Sequence, residues 1–317
     1  MNTKTSVKML PTRDGYGHGL LELGAAKPEV VVLDADLAKS TRSDWFGDKY
    51  PDRFFDIGIS EQDMIGTAAG LALGGKIPFA TTYGVFVAGR AWDQIRTTVC
   101  YADLNVKIAG NHGGISVGAD GATHQALEDI ALMRVLPNMR VIVPCDAVEA
   151  KKATIAAANV YGPCFLRFAR EATPVFTAET DFFEIGKANV LKDGKDVAII
   201  ACGPIVYEAL LAHEMLQDMG ISSRIINMHT VKPLDEEAVL QAAADTGAIV
   251  TAEEHQVYGG LGGAVAELLV KHRPVPVEMV GIQDTFGESG APEELAEKYG
   301  LTAKHIVAAV QKVLKRK

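Results

Sequence analysis

Cysteine is scarce in this chain, and the few copies fit no covalent framework. There are 4 cysteines in 317 residues, at Cys100, Cys145, Cys164 and Cys202, and their spacing matches neither a disulfide scaffold nor a zinc motif. Three of them lie in or beside apolar runs, where a free thiol packs as a small hydrophobic group. We therefore expect a chain without disulfides and without a metal site of its own.

Positive charge is also scarce. Lysine and arginine number 31 against 40 aspartates and glutamates, so the formal net charge is −9. Nucleic acids and anionic membrane surfaces attract proteins through positive fields, which this composition does not supply. The basic end Leu314–Lys317 is too short to change the balance. We expect no nucleic-acid partner and no membrane partner.

Long apolar runs are missing as well. The first residues, 1–14, lack the apolar core of a signal peptide, and no run approaches the roughly 20 residues of a membrane span. These features predict a cytoplasmic protein.

Several nucleotide and hydrolase motifs are absent too. The chain contains no Walker-type phosphate loop and no G-x-S-x-G nucleophile elbow. The glycines of Tyr258–Glu267 do not follow a strand directly, and Val265 stands at the third spaced position of the dinucleotide fingerprint. A glycine-rich turn that lets a helix pack closely is the favoured interpretation.

Short β-branched runs alternate with helical patterns along the whole chain. In the first half, strands are predicted at Val30–Leu37, Val106–His112, Arg140–Asp146 and Cys164–Arg170, with helices at Gln62–Leu73, Val87–Val99, Ala126–Met133 and Ala147–Ala158. In the second half, strands at Val197–Gly203, Ser222–Met228, Ala248–Glu253 and Val275–Val280 alternate with helices at Ile205–Gly220, Asp235–Ala244, Gly259–Val270 and a last one ending near Leu314. This pattern predicts an α/β fold of two domains, each a mostly parallel sheet with helices on both faces. We place the first domain at residues 1–175, a linker at 176–192 and the second domain at 193–317.

Polar residues concentrate where the predicted strands of the first domain end. Ligands of parallel sheets bind beyond the carboxyl ends of the strands. The segment Gly110–Gln125 follows a strand and holds five glycines together with His112, Asp120 and His124. Glycines let backbone amides approach a ligand, and histidines donate hydrogen bonds or carry protons near neutral pH. A site for a polar ligand is favoured over an irregular surface loop.

The segment Asp56–Gly75 leaves two alternatives open. Ser60 and Asp63 are suited to capping a helix, and Glu61 between them is either a capping accessory or a catalytic acid. The small residues of Gly66–Gly74 would allow close helix packing either within this chain or across a subunit interface.

Other candidates are weak when taken singly. Tyr83 and Phe86 stand at a strand-to-helix junction, where aromatic rings serve either the core or a platform for a planar heterocycle. Arg13, Ser40 and Arg170 lie near predicted strand ends or loops, and arginine is the usual residue for bidentate phosphate recognition.

Taken together, these segments resemble transketolase. The resemblance is carried by "GISEQDMIGTAAGLALGGKIPF", "HGGISVGADGATHQALEDIALMRVLPNMRVIVPCD" and "EEHQVYGGLGGAVAE", and runs from about Thr12 to beyond Pro292 in the family's order. It implies a pyrimidine-binding domain for thiamin diphosphate followed by a transketolase C-terminal-like domain.

One family motif is missing. Full-length members begin with a domain that holds the cofactor's diphosphate and Mg²⁺ through a GDG motif, and no GDG occurs here. The resemblance therefore implies the C-terminal subunit of a split transketolase. Such a chain is inactive without a separate N-terminal subunit, which binds the diphosphate and supplies the main binding site for Mg²⁺. An α2β2 heterotetramer, in which this chain also self-associates, is the expected assembly.

The resemblance assigns the cofactor-facing residues one by one. Glu61 matches the family glutamate that hydrogen-bonds N1′ of the aminopyrimidine and so promotes loss of the thiazolium C2 proton. Tyr83 and Phe86 match the aromatic residues that stack on the pyrimidine, with tyrosine a departure from the family's usual phenylalanine at the first. Asp36 matches an acid near the cofactor at the subunit interface.

It assigns the substrate-facing residues in the same way. Asp120 and His124 match residues that contact the sugar hydroxyls and the oxygens of the intermediate. The residues matching those that hold the sugar phosphate are Arg13, Ser40, His112 and Arg170. The expected catalytic set is Glu61, His124 and His112.

The implied reaction is reversible transfer of a two-carbon ketol unit, from xylulose 5-phosphate to ribose 5-phosphate or erythrose 4-phosphate, in the pentose phosphate pathway. A 1-deoxy-D-xylulose-5-phosphate synthase-like subunit is one alternative, although that family typically lacks a histidine at His112. The β subunit of 2-oxo acid dehydrogenases is similar in size and has the glutamate, but it lacks the D-G-x-T-H-Q run and therefore ranks below transketolase. A non-catalytic binding or regulatory module is the alternative outside enzymes.

Overall fold

Apolar side chains that alternate between the two faces of the strands build the core of the first domain. In the computed structural model, which describes residues 8–317, Val30 and Val32 pack with one set of helices, whereas Val31 and Leu33 pack with another. Successive side chains of a strand point to opposite faces of its sheet. Helices therefore cover both faces, as the alternation of the sequence predicts.

The first sheet has seven strands. Their spatial order is β12 (Thr230–Lys232), β6 (Arg140–Ile142), β7 (Cys164–Arg167), β5 (Lys107–Asn111), β4 (Ile77–Tyr83), β2 (Val30–Asp34) and β3 (Phe54–Asp56). All are parallel except β12, which pairs antiparallel with β6. Because β12 comes from the predicted second domain, the two halves share this sheet. The predicted division at 175 and 193 stays a prediction.

Helices and short turns connect these strands. The helices of this half are α1 (Thr12–Ala26), α2 (Ala38–Thr41), α3 (Asp44–Lys49), α4 (Glu61–Leu73), α5 (Gly84–Arg90), α6 (Trp92–Gln94), α7 (Asp129–Arg134) and α8 (Ala147–Asn159). Two short strands, β1 (Met9–Pro11) and β8 (Ala172–Pro174), form a separate antiparallel pair.

The second sheet has five strands. Their spatial order is β14 (Val277–Ile282), β13 (Ile249–Gln256), β10 (Val197–Ala201), β11 (Ser223–Asn227) and β9 (Asn189–Lys192), of which only β9 is antiparallel. Its helices are α9 (Val206–Asp218), α10 (Glu236–Thr246), α11 (Leu261–His272), α12 (Pro292–Lys298) and α13 (Ala303–Leu314).

One predicted helix is broken. Val87–Val99 is not continuous, because α5 ends at Arg90 and a π-helical turn spans Ile95–Cys100. The break at Ala91 turns Trp92, whose indole Nε1 donates to the carbonyl of Leu132 at 2.9 Å. The tryptophan thereby joins this segment to α7. Among residues 8–317, no helix has the length and apolar character that a membrane crossing requires.

Strand register brings the candidate loops to one edge. Tyr83 pairs with Asn111, Gly110 with Arg167, and Asp34 with Thr81, so β2, β4, β5 and β7 all end on the same side. The residues that follow these strands are the ones to which the sequence assigns chemistry.

Candidate active site

Four rings meet beyond the ends of β4 and β5. The Tyr83 and His112 rings stack with centroids 3.8 Å apart, and the Tyr83 and Phe86 rings lie 5.9 Å apart with an interplanar angle of 16°. His124 presents its ring edge-on to Phe86 at 5.4 Å and to Tyr83 at 6.2 Å. We call Tyr83, Phe86, His112 and His124 the aromatic cluster. The register of β4 against β5 creates it, since His112 directly follows Asn111.

Burial controls the protonation of His112. Only 1% of its surface is exposed, and desolvation followed by the neighbouring cations Arg13 and Arg170 lowers its pKa to about 3. The imidazole is therefore neutral near pH 7, and it can donate or accept a hydrogen bond there. A proton-carrying role for His112 stays a prediction. Its Nδ1 has no hydrogen-bond partner among residues 8–317, and neither amide atom of Asn111 has one.

Glu61 lies at the start of α4 and is already buried. Its side chain is 1% exposed, and Arg90 donates to Oε1 at 2.9 Å and to Oε2 at 2.8 Å. The Arg90 guanidinium also lies over the Phe86 ring, 5.0 Å from its centroid. Glu61 is thus connected to the aromatic cluster through Arg90.

The capping prediction for this helix is wrong in its detail. Ser60 is the N-cap residue, but its side chain makes no capping hydrogen bond. Its backbone, with φ −148° and ψ 68°, starts the helix without that bond. Glu61 is not a capping accessory either, because its carboxylate is bound to Arg90.

The glycines of α4 face outward, whereas its small residues Ala68 and Ala69 are buried in the core. A Cβ atom built on Gly66 or Gly70 would meet nothing within 4 Å, and both glycines are exposed. Packing within the chain does not use this face. The alanines of α4 thus pack within this chain, and contact of the glycine face with another chain stays a prediction.

Cations surround the outer side of the aromatic cluster. Arg170 lies 3.2 Å from Asp120 and donates to the carbonyl of Val117 at 3.0 Å. Arg13 donates to the backbone carbonyl of Ser40 at 2.8 Å, so it binds the main chain of Ser40 and not its hydroxyl. Burial, followed by the positive charge of Arg42, lowers the pKa of Arg13. An anion at this position would relieve the crowding of positive charge.

Local bonds bring these cations together. The amide of Ala169 donates to the hydroxyl of Thr12 at 2.6 Å, which ties the start of α1 to the end of β7. Arg13 and Arg170, adjacent to the tied residues, are thereby held on the same side of the sheet.

Asp36 lies next to the site but not in the aromatic cluster. Its backbone amide donates to Asp56 at 3.2 Å, and its φ of 60° lies in the left-handed region. The neighbouring Asp34 is buried and accepts from Thr41 and Ser43, which shapes the turn that carries Ser40. Asp36 therefore belongs to the adjoining loop rather than to the aromatic cluster.

Sequence reasoning missed two arginines. Arg90 stands four residues after Phe86 on one helix, a spacing that places both side chains on the same face and could have been used. Arg42 follows Ser40 by two residues with φ 70°, and its Nε donates to Asp14 at 2.7 Å. No local pattern indicated that contact.

The glycine-rich turn of the second domain has a different role. Glu253 accepts from the amides of Leu261 and Gly262, each at 2.8 Å, at the start of α11. A Cβ on Gly260 would lie 2.1 Å from a carboxylate oxygen of Glu253. The chain's own carboxylate thus occupies the helix terminus that a nucleotide phosphate would need.

Two protein-family models match this chain. The model for the transketolase pyrimidine-binding domain matches residues 8–175, and the model for the transketolase C-terminal domain matches residues 186–306. The chain belongs to the transketolase family. The first match covers more than half of the chain and contains every candidate residue, from Arg13 to Arg170.

Individual transketolase relatives match along nearly their whole length. A 6-deoxy-6-sulfo-D-fructose transketolase subunit of Clostridium sp. is 45% identical, with 96% of this chain and 95% of the relative covered. A subunit of an apulose-4-phosphate transketolase of Phocaeicola vulgatus is 38% identical, with 97% and 99% covered. A solved structure described as a split gene transketolase, inactive beta4 tetramer, is 52% identical with a TM-score of 0.92, covering 97% of this chain and 99% of that one. This chain is therefore a transketolase-family C-terminal subunit.

The pyrimidine-binding domain implies thiamin diphosphate, and the residues present fit that group. A buried carboxylate at a helix start, two near-parallel rings and the unpartnered Nδ1 of His112 together suit an aminopyrimidine. Within residues 8–317, no group of three or more His, Cys, Asp and Glu side chains is placed to hold a metal ion.

Proposed function

We propose that this chain is the C-terminal subunit of a two-chain transketolase that transfers a two-carbon ketol unit between anionic sugars, with xylulose 5-phosphate, ribose 5-phosphate and erythrose 4-phosphate as its substrates. The observation that carries the proposal is the juxtaposition of Glu61 and the aromatic cluster with the cations Arg13 and Arg170. One part suits an aminopyrimidine, and the other suits a sugar phosphate.

Thiamin diphosphate, when bound, would supply the carbanion chemistry of the transfer. Glu61 would accept the hydrogen bond of the pyrimidine N1′ position. Tyr83 and Phe86 would hold the flat ring. Both oxygens of Glu61 accept from Arg90, so the cofactor would either share the carboxylate with that arginine or displace it.

The substrate subsite would use charge and neutral donors together. Arg13, Arg170 and Ser40 would hold the phosphate, with the neutral imidazole of His112 contributing a hydrogen bond. Asp120 and His124 would contact the sugar hydroxyls. The two relatives named for a sulfo-sugar and a sugar phosphate support an anionic substrate, and they also show that the sugar differs among similar chains.

The exposed face of α4 is an argument for a partner subunit. Ile59 and Leu73 are 77% and 75% exposed on either side of the unpartnered Gly66 and Gly70. We infer that this apolar face binds another chain in an α2β2 assembly, and that a separate N-terminal subunit supplies the diphosphate and Mg²⁺ site. The four buried free cysteines suit the reducing cytoplasm, where we place the enzyme.

The decisive experiment mixes this chain with its candidate N-terminal subunit, thiamin diphosphate and Mg²⁺. We expect ketol transfer from xylulose 5-phosphate to ribose 5-phosphate only in the complete mixture. Decarboxylation of pyruvate with glyceraldehyde 3-phosphate, without ketol transfer, would support the synthase alternative. Subunit binding without either activity would support a non-catalytic module.

A variant tests the role of Glu61 in the same mixture. Glu61→Gln should lower turnover about a hundredfold or more while the subunits still assemble, because a carboxylate that shares a proton with N1′ is lost. Asp63→Asn removes an exposed acid from the same helical turn and should leave turnover near the wild-type value. Near-normal turnover of Glu61→Gln would refute the assignment.

A further inference from the structure

We propose that Glu254, in the second domain, is a positioning residue for the substrate loop Gly113–Gln125 of the first domain. This inference rests on the proposed function, because it concerns the same site. The loop carries Asp120 and His124, the residues proposed to contact the sugar.

The contact is direct and buried. Glu254 is 8% exposed, and its Oε1 accepts from the backbone amide of Ser116 at 2.6 Å. A Cβ on Gly114 would lie 2.3 Å from the same oxygen, and the φ of Gly114 is 95°. Only glycine permits this approach. A carboxylate withdrawn from water needs a strong partner, and the loop amide supplies one.

A second tie holds the end of the loop. Arg167 is 4% exposed, and its Nη2 donates to the carbonyls of Ala126 at 2.8 Å and of Glu254 at 3.0 Å. Its Nε donates to Asp129 at 2.8 Å. Arg167 therefore connects the end of the loop with the backbone of the strand that carries Glu254.

A third tie uses Gln125. Its Nε2 donates to the carbonyl of Ile115 at 3.1 Å within the loop and to the carbonyl of Glu288 at 2.9 Å in the second domain. Both ends of the loop are thus bound to the second domain. The positions of Asp120 and His124 relative to the first sheet depend on these bonds.

The neighbouring Glu253 binds elsewhere, so of these two acids only Glu254 contacts the loop. Glu253 accepts from two amides inside its own domain, where it starts α11. Glu254 points the other way, into the first domain. We infer that the second domain contributes to substrate binding by ordering this loop in advance, so that the substrate does not have to order it.

The test compares Glu254→Ala with Glu208→Ala in the reconstituted two-subunit enzyme. Glu208 accepts from the amide of Ala303 at 2.7 Å, so the control also removes a carboxylate–amide bond, but one within the second domain. Glu254→Ala should raise the KM for the sugar phosphate about tenfold and also lower kcat, since the loop carries Asp120 and also His124 of the expected catalytic set. Glu208→Ala should leave KM unchanged. Glu254→Gln retains an acceptor oxygen and should restore KM to within about twofold of wild type.

Hydrogen exchange of this chain provides a readout independent of activity. In Glu254→Ala the amides of residues 113–125 should exchange at least tenfold faster, and in Glu208→Ala they should not. Equal KM values for the two alanine variants, or unchanged exchange in the loop, would overturn the inference. If the wild-type mixture lacks ketol transfer, the proposed function fails, whereas the exchange result still decides whether Glu254 holds the loop.

Discussion

Glu61 illustrates how one side chain can be identified from sequence while its environment cannot. The segment around it indicates a carboxyl group at a helix start. The structure adds that both carboxylate oxygens accept from Arg90, whose side chain is 51% exposed and whose guanidinium lies over Phe86. A half-exposed arginine can move into solvent at little cost. The ion pair is therefore a contact that the cofactor would either share or displace.

A variant measures the cost of breaking that contact. Arg90→Met should tighten thiamin diphosphate binding to the two-subunit complex by up to about fivefold, or about 1 kcal/mol, because the buried carboxylate of Glu61 would no longer be held by its half-exposed partner. Titration of the cofactor into the complex, followed by calorimetry, checks the value. Arg96→Met changes an exposed arginine in the next helical turn and should bind the cofactor as wild type does. Weaker binding by Arg90→Met would show that Arg90 assists the cofactor rather than competing with it.

Strand ends and loops show what pairing decides at the scale of elements. The sequence predicts strands that end near His112 and Tyr83, but it does not indicate that their rings stack. That contact follows from the register of Tyr83 against Asn111. Likewise, the helix after Phe86 breaks next to Trp92, whose indole bonds to Leu132 of α7, 40 residues further along the chain.

A buried acid joins α8 of the first domain to β11 of the second. Glu149 accepts from the amide of Cys145 at 2.7 Å and from the Asn227 side chain at 2.7 Å. Burial raises the pKa of Glu149 to about 7 from a usual 4.5. A carboxyl group with a raised pKa in the folded state stabilises the fold below pH 4.5, and this contribution is lost as the pH rises towards 7.

Glu149→Gln should therefore flatten the pH dependence of stability. Between pH 5 and 8, the wild type should lose on the order of 2 kcal/mol more unfolding free energy than the variant does. Asn227 can turn its unpartnered Oδ1 towards the new amide. Urea unfolding at several pH values checks this, with Glu214→Gln, an exposed acid on α9, as the control. Parallel pH profiles for wild type and Glu149→Gln would contradict the assignment.

At the scale of the whole molecule, the two domains share part of their cores. A single cluster of buried side chains includes Val141 and Val143 of the first domain with Ala198 and Ile200 of the second. The apolar face of α4 lies outside this core. A Cβ atom built on either of its two glycines would meet nothing within 4 Å, and this is the surface at which we expect the chain to bind another subunit.

Gly70→Leu tests that surface. The variant should fold with at least wild-type thermal stability, because glycine in an exposed helix costs about 1 kcal/mol relative to better helix formers. Its assembly with a second copy or with the N-terminal subunit should weaken at least tenfold, since a side chain would fill the flat face. Analytical ultracentrifugation measures the assembly. Ala308→Leu, on an exposed position of α13, should assemble normally. Normal assembly by Gly70→Leu would place the interface elsewhere.

The sequence alone determined the α/β class and the family, and it predicted the residue types of the site. Periodicity, strand-end chemistry and specific motifs are local properties, and they can be read without knowing which strands are neighbours. The tertiary structure alone decided the partners of those residues: Arg90 for Glu61, Tyr83 for His112, and Glu254 for the substrate loop. Ser116 and Glu254 are separated by 138 positions in the chain. Such contacts depend on register, burial and close backbone approach, which are set only when distant parts of the chain come together in the fold.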